Sequence, residues 1–125
     1  MESEKIITLK NNDSLGTVQI ADDVVAAIAS IAATETEGVY AMEGGATKEL
    51  IAKVNPSKLK KGVRVSVNGE DVRIDIAVIL EYGYNIPATC TQVQSKIKTA
   101  IENMTGFNCN DVNVKIAGIN MKKNR

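Results

Sequence analysis

The stretch VRVSVNGEDVRIDIAVIL, Val63 to Leu80, decides the fold. Val63, Val65 and Val67 alternate with Arg64, Ser66 and Asn68. Val72, Ile74, Ile76, Val78 and Leu80 then alternate with Arg73, Asp75, Ala77 and Ile79. A period of two is that of a strand with one face against a core. Asn68-Gly69 lies between the two runs, and both residues tolerate positive φ, so the pair predicts a hairpin turn. The second run is apolar on both faces from Val78 to Leu80, which puts it in the middle of a sheet.

Toward the C-terminus, Tyr82-Gly83-Tyr84 leads into Asn85-Ile86-Pro87. Proline suits the first turn of a helix, where its missing N–H costs nothing. Ile86, Cys90, Val93, Ile97, Ala100, Ile101 and Met104 then recur at spacings of three and four, one apolar stripe of a helix that Gly106 ends. Val112, Val114, Ile116 and Gly118 alternate with Asn113, Lys115, Ala117 and Ile119, predicting a last strand.

Toward the N-terminus, residues 43–61 carry mixed signals. Gly44-Gly45 breaks regular structure, Thr47 to Val54 has room for two helical turns, and Asn55-Pro56 turns the chain. Before that stretch, a helix is predicted to open at Ala21. Asp22 and Asp23 sit in its first turn, where carboxylates suit the positive end of the helix dipole. Val24, Ile28, Ile31 and Ala32 follow as its apolar stripe, widened by Val25 and Ala29, and Gly38 is its stop. Val39 to Met42 reads as a short strand, and Gly16 to Ile20 as another. Ile6 to Leu9 is an apolar patch in an otherwise polar beginning.

The order is strand, helix, short strand, linker, hairpin, helix, strand. It predicts an α+β fold, a single mixed or antiparallel sheet with two main helices packed on one face. Residues 15–120 form one domain in this reading. Residues 1–14 are a flexible tail or edge strand, and residues 121–125 are a basic tail containing Lys122, Lys123 and Arg125. A 125-residue chain can bury about two-thirds of the surface it exposes when unfolded, enough for a core without staples. Aromatics are only 3% of the residues, so that core is built from Val, Ile, Leu and Ala.

The composition is poor in catalytic groups. There is no His, which removes the usual general base and the commonest metal ligand. Cys90 and Cys109 are too few and too far apart for a zinc site or a Cys-x-x-Cys redox pair, and read as reduced thiols. Lys+Arg and Asp+Glu balance at 15 each, which argues against a dedicated binder of nucleic acid or anionic membrane. Gly44-Gly45-Ala46-Thr47-Lys48 resembles a phosphate loop only in part. The glycines are adjacent, no Gly precedes Lys48, and Glu49 stands where a Mg²⁺-binding hydroxyl belongs. Of the close carboxylates, Asp22/Asp23 belong to a helix start, Glu70/Asp71 to a hairpin turn and Glu35/Glu37 to a helix end. No catalytic residue, metal or cofactor is expected.

Lys58, Lys60, Lys61 and Arg64 form a basic cluster that could contact an anion or a partner. It has no aromatics beside it for stacking on bases, so a solvated surface is the better account. The N-terminus lacks the basic segment and apolar run of a secretory signal, and no window approaches the ~20 apolar residues of a membrane span.

Four segments together resemble a known family. They are GTVQIADDVVAAIASIAATETEGVYAM, KKGVRVSV, VRIDIAVILEYGYNIPATCTQVQSKIKTAIENMTG and VNVKIAGI. The most specific marks are Tyr82-Gly83, Ile86-Pro87, Val93-Gln94 and Glu102-Asn103-Met104-Thr105-Gly106, leading into a Val-Asn-Val strand. The resemblance is to the alkaline shock, or envelope stress response, proteins of Gram-positive bacteria. It covers about Gly16 to Ile119. It implies a cytosolic protein without enzymatic activity, linked to envelope homeostasis and stress. It further implies a protein partner, in some members a small integral membrane anchor, and self-association in others. It offers no catalytic motif. The expectation is a cytoplasmic scaffold, peripheral at the inner face of the membrane through its partner, that binds by a sheet edge or a helix face. Ile6 to Leu9 is one such edge. The rival reading is nucleic-acid binding through residues 58–64 and the basic tail.

Overall fold

The computed structural model describes residues 6–9, 18–43 and 62–121. Their elements, in chain order, are β1 (Ile6–Leu9), β2 (Val18–Ala21), α1 (Asp22–Thr34), β3 (Val39–Met42), β4 (Val63–Asn68), β5 (Asp71–Glu81), α2 (Ile86–Thr105) and β6 (Asn108–Asn120). The fold is α+β. The expected helix at 47–54, the linker around it, and Lys58, Lys60 and Lys61 lie outside the described residues.

β5 is the axis of the sheet, as its unbroken apolar end implies. β4 pairs with its first half, antiparallel, from Val63 opposite Ile76 to Asn68 opposite Asp71. β3 pairs with its second half, also antiparallel, from Val39 opposite Leu80 to Met42 opposite Val78. These two strands share one edge of β5. Ala77 donates its N–H to the Gly62 carbonyl and accepts at its own carbonyl from Glu43 N–H, so the end of β3 and the start of β4 meet at the same residue of that edge. β6 runs parallel along the other edge, from Asp71 opposite Asn108 to Glu81 opposite Asn120. A parallel neighbour needs a crossover, which α2 supplies. The sheet is therefore mixed. β1 and β2 form a separate antiparallel ladder, Ile6 opposite Ala21 to Leu9 opposite Val18, so Ile6 to Leu9 finds its partner within the chain.

The inward face of β5 supplies Val72, Ile74, Ile76, Val78 and Leu80, all buried. α2 covers them with Val93, Ile97 and Ile101, Phe107 plugs the end of the crossover, and α1 packs alongside. The ends of α2 are set by local chemistry. Asn85 Oδ1 accepts from Ala88 N–H at 2.8 Å, Pro87 occupies the first turn, and Gly106 closes the helix at φ +81°. The expected stripe of α2 is buried over its middle, whereas Ile86 and Met104 at its two ends are exposed.

α1 departs from expectation in two ways. Its buried face is Val25, Ala26, Ala29, Ala32 and Ala33, while Val24 and Ile31 of the predicted stripe are 43% and 40% exposed. The helix packs against both the sheet and α2, and alanines allow that close approach where larger side chains would hold the elements apart. The helix also stops before Gly38. Thr34 and Thr36 hydroxyls donate to the carbonyls of Ser30 and Ala32, each at 3.0 Å, satisfying the last turn early. Gly38, at φ +97°, belongs instead to the turn into β3. β6 begins at Asn108, four residues earlier than its alternation suggested, because the parallel ladder continues down to Asp71.

Candidate interaction surface

The chain's polar and apolar groups gather in three places. The first is the end of the sheet where β3, β5 and β6 meet. Glu81 N–H donates to the Gly38 carbonyl at 2.8 Å, and Tyr82 N–H to the Asn120 carbonyl at 3.1 Å. Those two bonds bring Gly38 to Tyr40, Glu81 to Ile86 and Ile119 to Met121 to one end of the molecule. Tyr40, Tyr84, Ile86 and Ile119 are all exposed there, Tyr82 is 58% exposed and Met121 64%. All three tyrosines of the sequence therefore lie at this end.

Tyr84 is the fixed member. Its ring lies over Gly38, where an added Cβ would stand 2.9 Å from Tyr84 Cδ2. Its hydroxyl donates to Glu37 Oε2 at 3.4 Å. The Glu37 carboxylate beside it, then loss of water, the hydrogen bond and Glu81 hold the phenol above its ordinary value of 10.0, so it stays a neutral donor. A groove of about 380 Å³ runs from here between the end of α1 and the start of α2, lined by Thr36, Glu37, Tyr84, Asn85, Gln92 and Lys96 among others. The Tyr84 ring next to two carboxylates, Glu37 and Glu81, suits a ligand that is apolar and cationic together, with Lys96 as the cation already on the groove.

The second place is the outer face of the sheet. Arg64, Asp75 and Asn113 form one row across β4, β5 and β6. Asn113 Nδ2 donates to Asp75 Oδ1 at 2.9 Å, and Arg73 Nε stands 3.8 Å from the same oxygen. Arg64 is thus set in a surface of mixed charge, opposite a carboxylate. It is the one member of the expected basic cluster among the described residues; Arg73 shares its carboxylate neighbour Asp75, and Lys115 lines the same shallow cavity as Arg64.

The third is the outer edge of β6, where α2 reaches over. Lys98 Nζ donates to the Cys109 carbonyl at 3.1 Å and pairs with Glu102 at 2.9 Å. Glu102 Oε2 accepts from Cys109 N–H at 3.0 Å. Gln94 Nε2 donates to the Val112 carbonyl at 3.0 Å. The hydrogen bond from Lys98, then that from Cys109, holds the Glu102 carboxyl below its usual range, and the bond to Glu102 raises Lys98. Spacing alone assigns Lys98 and Glu102 to the helix circumference. Their separation by four residues was the available signal for a pair, but nothing local announces the strand beneath them.

The remaining sequence candidates stay apart. Glu70 and Asp71 hold the hairpin turn and the start of β6, with Asn108 N–H donating to the Glu70 carbonyl at 2.9 Å. Burial raises both thiols, Cys109 enclosed in the core and Cys90 half-buried. Among the described residues, no group of three or more Cys, Asp or Glu is placed to hold a metal ion. No helix among them is long and apolar enough to cross a membrane.

The model of the Asp23 family, described by a cell envelope-related function, matches residues 10–121. The uncharacterized protein YqhY of Bacillus subtilis is 32% identical over 120 residues, covering 95% of this chain and 89% of its own. YloU of the same organism, also uncharacterized, is 31% identical over 110 residues, 83% of this chain and 88% of its own. A stress response regulator gls24 homologue of Streptococcus pyogenes is 28% identical over 103 residues, 82% of this chain but 58% of its own length. No solved structure matches.

Proposed function

The chain belongs to the Asp23 family (the family's name, not the residue at position 23), whose description is a cell envelope-related function, and we propose that it is a non-enzymatic scaffold of the envelope stress response. It works in the cytoplasm, at the inner face of the membrane, by docking a membrane-anchored protein. The observation that carries this reading is the exposed end that holds Tyr40, Tyr82 and Tyr84, with Tyr84 beside Glu37 and Glu81. Tyrosines supply large, rigid contact area and are enriched where proteins bind one another. The cytoplasmic flanks of membrane proteins carry an excess of Lys and Arg next to their apolar spans. A segment of that kind offers further cations for its carboxylates and ring faces, and apolar side chains for Ile119 and Met121.

The absence of His from the sequence supports a binding role over a catalytic one. The stress-response name of the streptococcal relatives supports the setting. The rival, nucleic-acid binding, rests on Lys58, Lys60, Lys61 and the basic tail, which lie outside the described residues; Arg64, its one described member, faces Asp75.

The test is in-cell crosslinking followed by membrane fractionation, for the wild type and for Tyr82→Ala. The expected result is recovery with the membrane alongside one small integral membrane protein, lost in the variant while its circular dichroism is unchanged. Recovery only in the soluble fraction, with ribosomes or nucleic acid, would overturn the scaffold reading in favour of the basic segment.

A further inference from the structure

A parallel strand alternates the direction of its backbone groups, so each residue of β6 turns its N–H and C=O either toward β5 or away from it. Asn108 N–H and the Asn120 carbonyl bond to the β5 side. The Val112 carbonyl is turned away, because Gln94 of α2 reaches it. By alternation Val114 and Ile116 also turn their backbone groups away from β5. Their side chains pack on the helix-covered face, while Asp111, Asn113 and Lys115 stand on the outer face. Among the described residues β6 pairs with β5 alone. The first part of its outer edge is guarded by Gln94, Lys98 and Glu102, and among the described residues none guards it beyond Val112. A 13-residue strand with an open outer edge is a template for another strand.

We propose that this edge pairs with the same edge of a second copy of the chain, antiparallel, about a twofold axis at Asn113. The charges select that register. Centred on Asn113, each Asp111 faces Lys115 of the second copy, and each Val112 faces Val114. Val112 and Val114 are residues whose backbone groups point outward, so these pairs exchange N–H···O bonds. Asn113 meets itself in a non-hydrogen-bonded pair, where side chains stand closest. Shifting the centre to Val114 puts Asp111 opposite Ala117, and shifting it to Lys115 sets two ammonium groups against each other. Like charges directly opposite are destabilising. Arg73, which faces Asp111 on β5, adds a cation to the same row. At the Val112 carbonyl, the bond from Gln94 gives way to Val114 N–H of the second copy. Gln94 therefore restrains the pairing. This inference stands on the sheet edge and does not depend on the tyrosine end.

The test uses the full chain in sedimentation equilibrium. The wild type is expected to show a monomer–dimer equilibrium. Lys115→Asp, which opposes two carboxylates, is expected to weaken it at least tenfold. Lys115→Asp combined with Asp111→Lys, which reverses both charges, is expected to restore it. Gln94→Ala is expected to strengthen it severalfold. Asn113→Cys, in a Cys90→Ser background, is expected to give a disulfide-linked dimer on mild oxidation. A wild type that stays monomeric at every concentration overturns the proposal. So does a dimer that ignores the Asp111 and Lys115 changes and leaves Asn113→Cys unlinked, because its interface then lies elsewhere. Circular dichroism and thermal melting of each variant separate loss of pairing from loss of fold.

Discussion

The middle of β5 and its C-terminal end continue one strand and serve opposite purposes. In the middle, Ile74, Ile76 and Val78 are sealed beneath α1 and α2. At the end, the same strand runs out into Tyr82 and Tyr84, exposed at the end of the sheet that also carries Tyr40 of β3 and Met121 beyond β6. The sequence holds four aromatic residues, Phe107 and the three tyrosines. Phe107 is the one in the core. The three tyrosines are all exposed at one end, Tyr84 alone of them held there by Gly38 and Glu37. The covered middle holds the fold, and the open end is the docking surface proposed above.

That contrast can be broken at several points. The largest effect belongs to the middle. Ile97→Ala removes a side chain with no solvent exposure and is expected to cost about 3 kcal/mol in denaturant unfolding, leaving partner binding intact in the folded fraction. An unchanged midpoint would mean that α2 does not seal the sheet. Gly38→Ala joins the two regions, since it forces a side chain into positive φ and against the Tyr84 ring. It is expected to cost about 1–2 kcal/mol and to weaken partner recovery as well. Loss of stability with full binding would separate Tyr84 from the docking surface.

Smaller effects follow at the ends of the elements. Asn85→Ala deletes the cap of α2 and is expected to lower stability by about 1 kcal/mol. Glu102 is held below its ordinary 4.5 by Lys98 and Cys109 N–H. A depressed carboxyl contributes stability that is full above its unfolded value and is lost as pH falls through the folded one. The acid limb of a thermal-melting series is therefore expected to flatten in Glu102→Gln, and an unaltered limb would deny the pair a role in anchoring β6. Last, Tyr82→Ala is expected to leave unfolding within about 0.5 kcal/mol of wild type. Its effect is on binding alone, the inverse of Ile97→Ala.

Much of this was legible along the chain because it depends on near neighbours. The Asn68-Gly69 hairpin, the Asn85 and Pro87 start of α2 and its Gly106 stop are each settled within a few residues. The family, too, showed in short motifs from Tyr82-Gly83 to Glu102–Gly106. The face of α1 was not legible. Val24-Ile28-Ile31 and Val25-Ala29-Ala32 are adjacent apolar stripes, and helical spacing alone cannot choose between them. The choice falls to the alanine stripe because α2 and the sheet approach it closely.

The sequence by itself determined the elements, the α+β class, the central place of β5 and the poverty of catalytic groups. These follow from period, turn chemistry and composition, which act over a few residues or over the whole chain at once. Only the tertiary structure decided which stripe of α1 is buried and that the tyrosines share one end of the sheet. It also decided that β6 lies parallel to β5 with its outer edge half guarded by Gln94, Lys98 and Glu102. Each of these is a contact between residues far apart in sequence, set by which strands share an edge, and no local spacing encodes that.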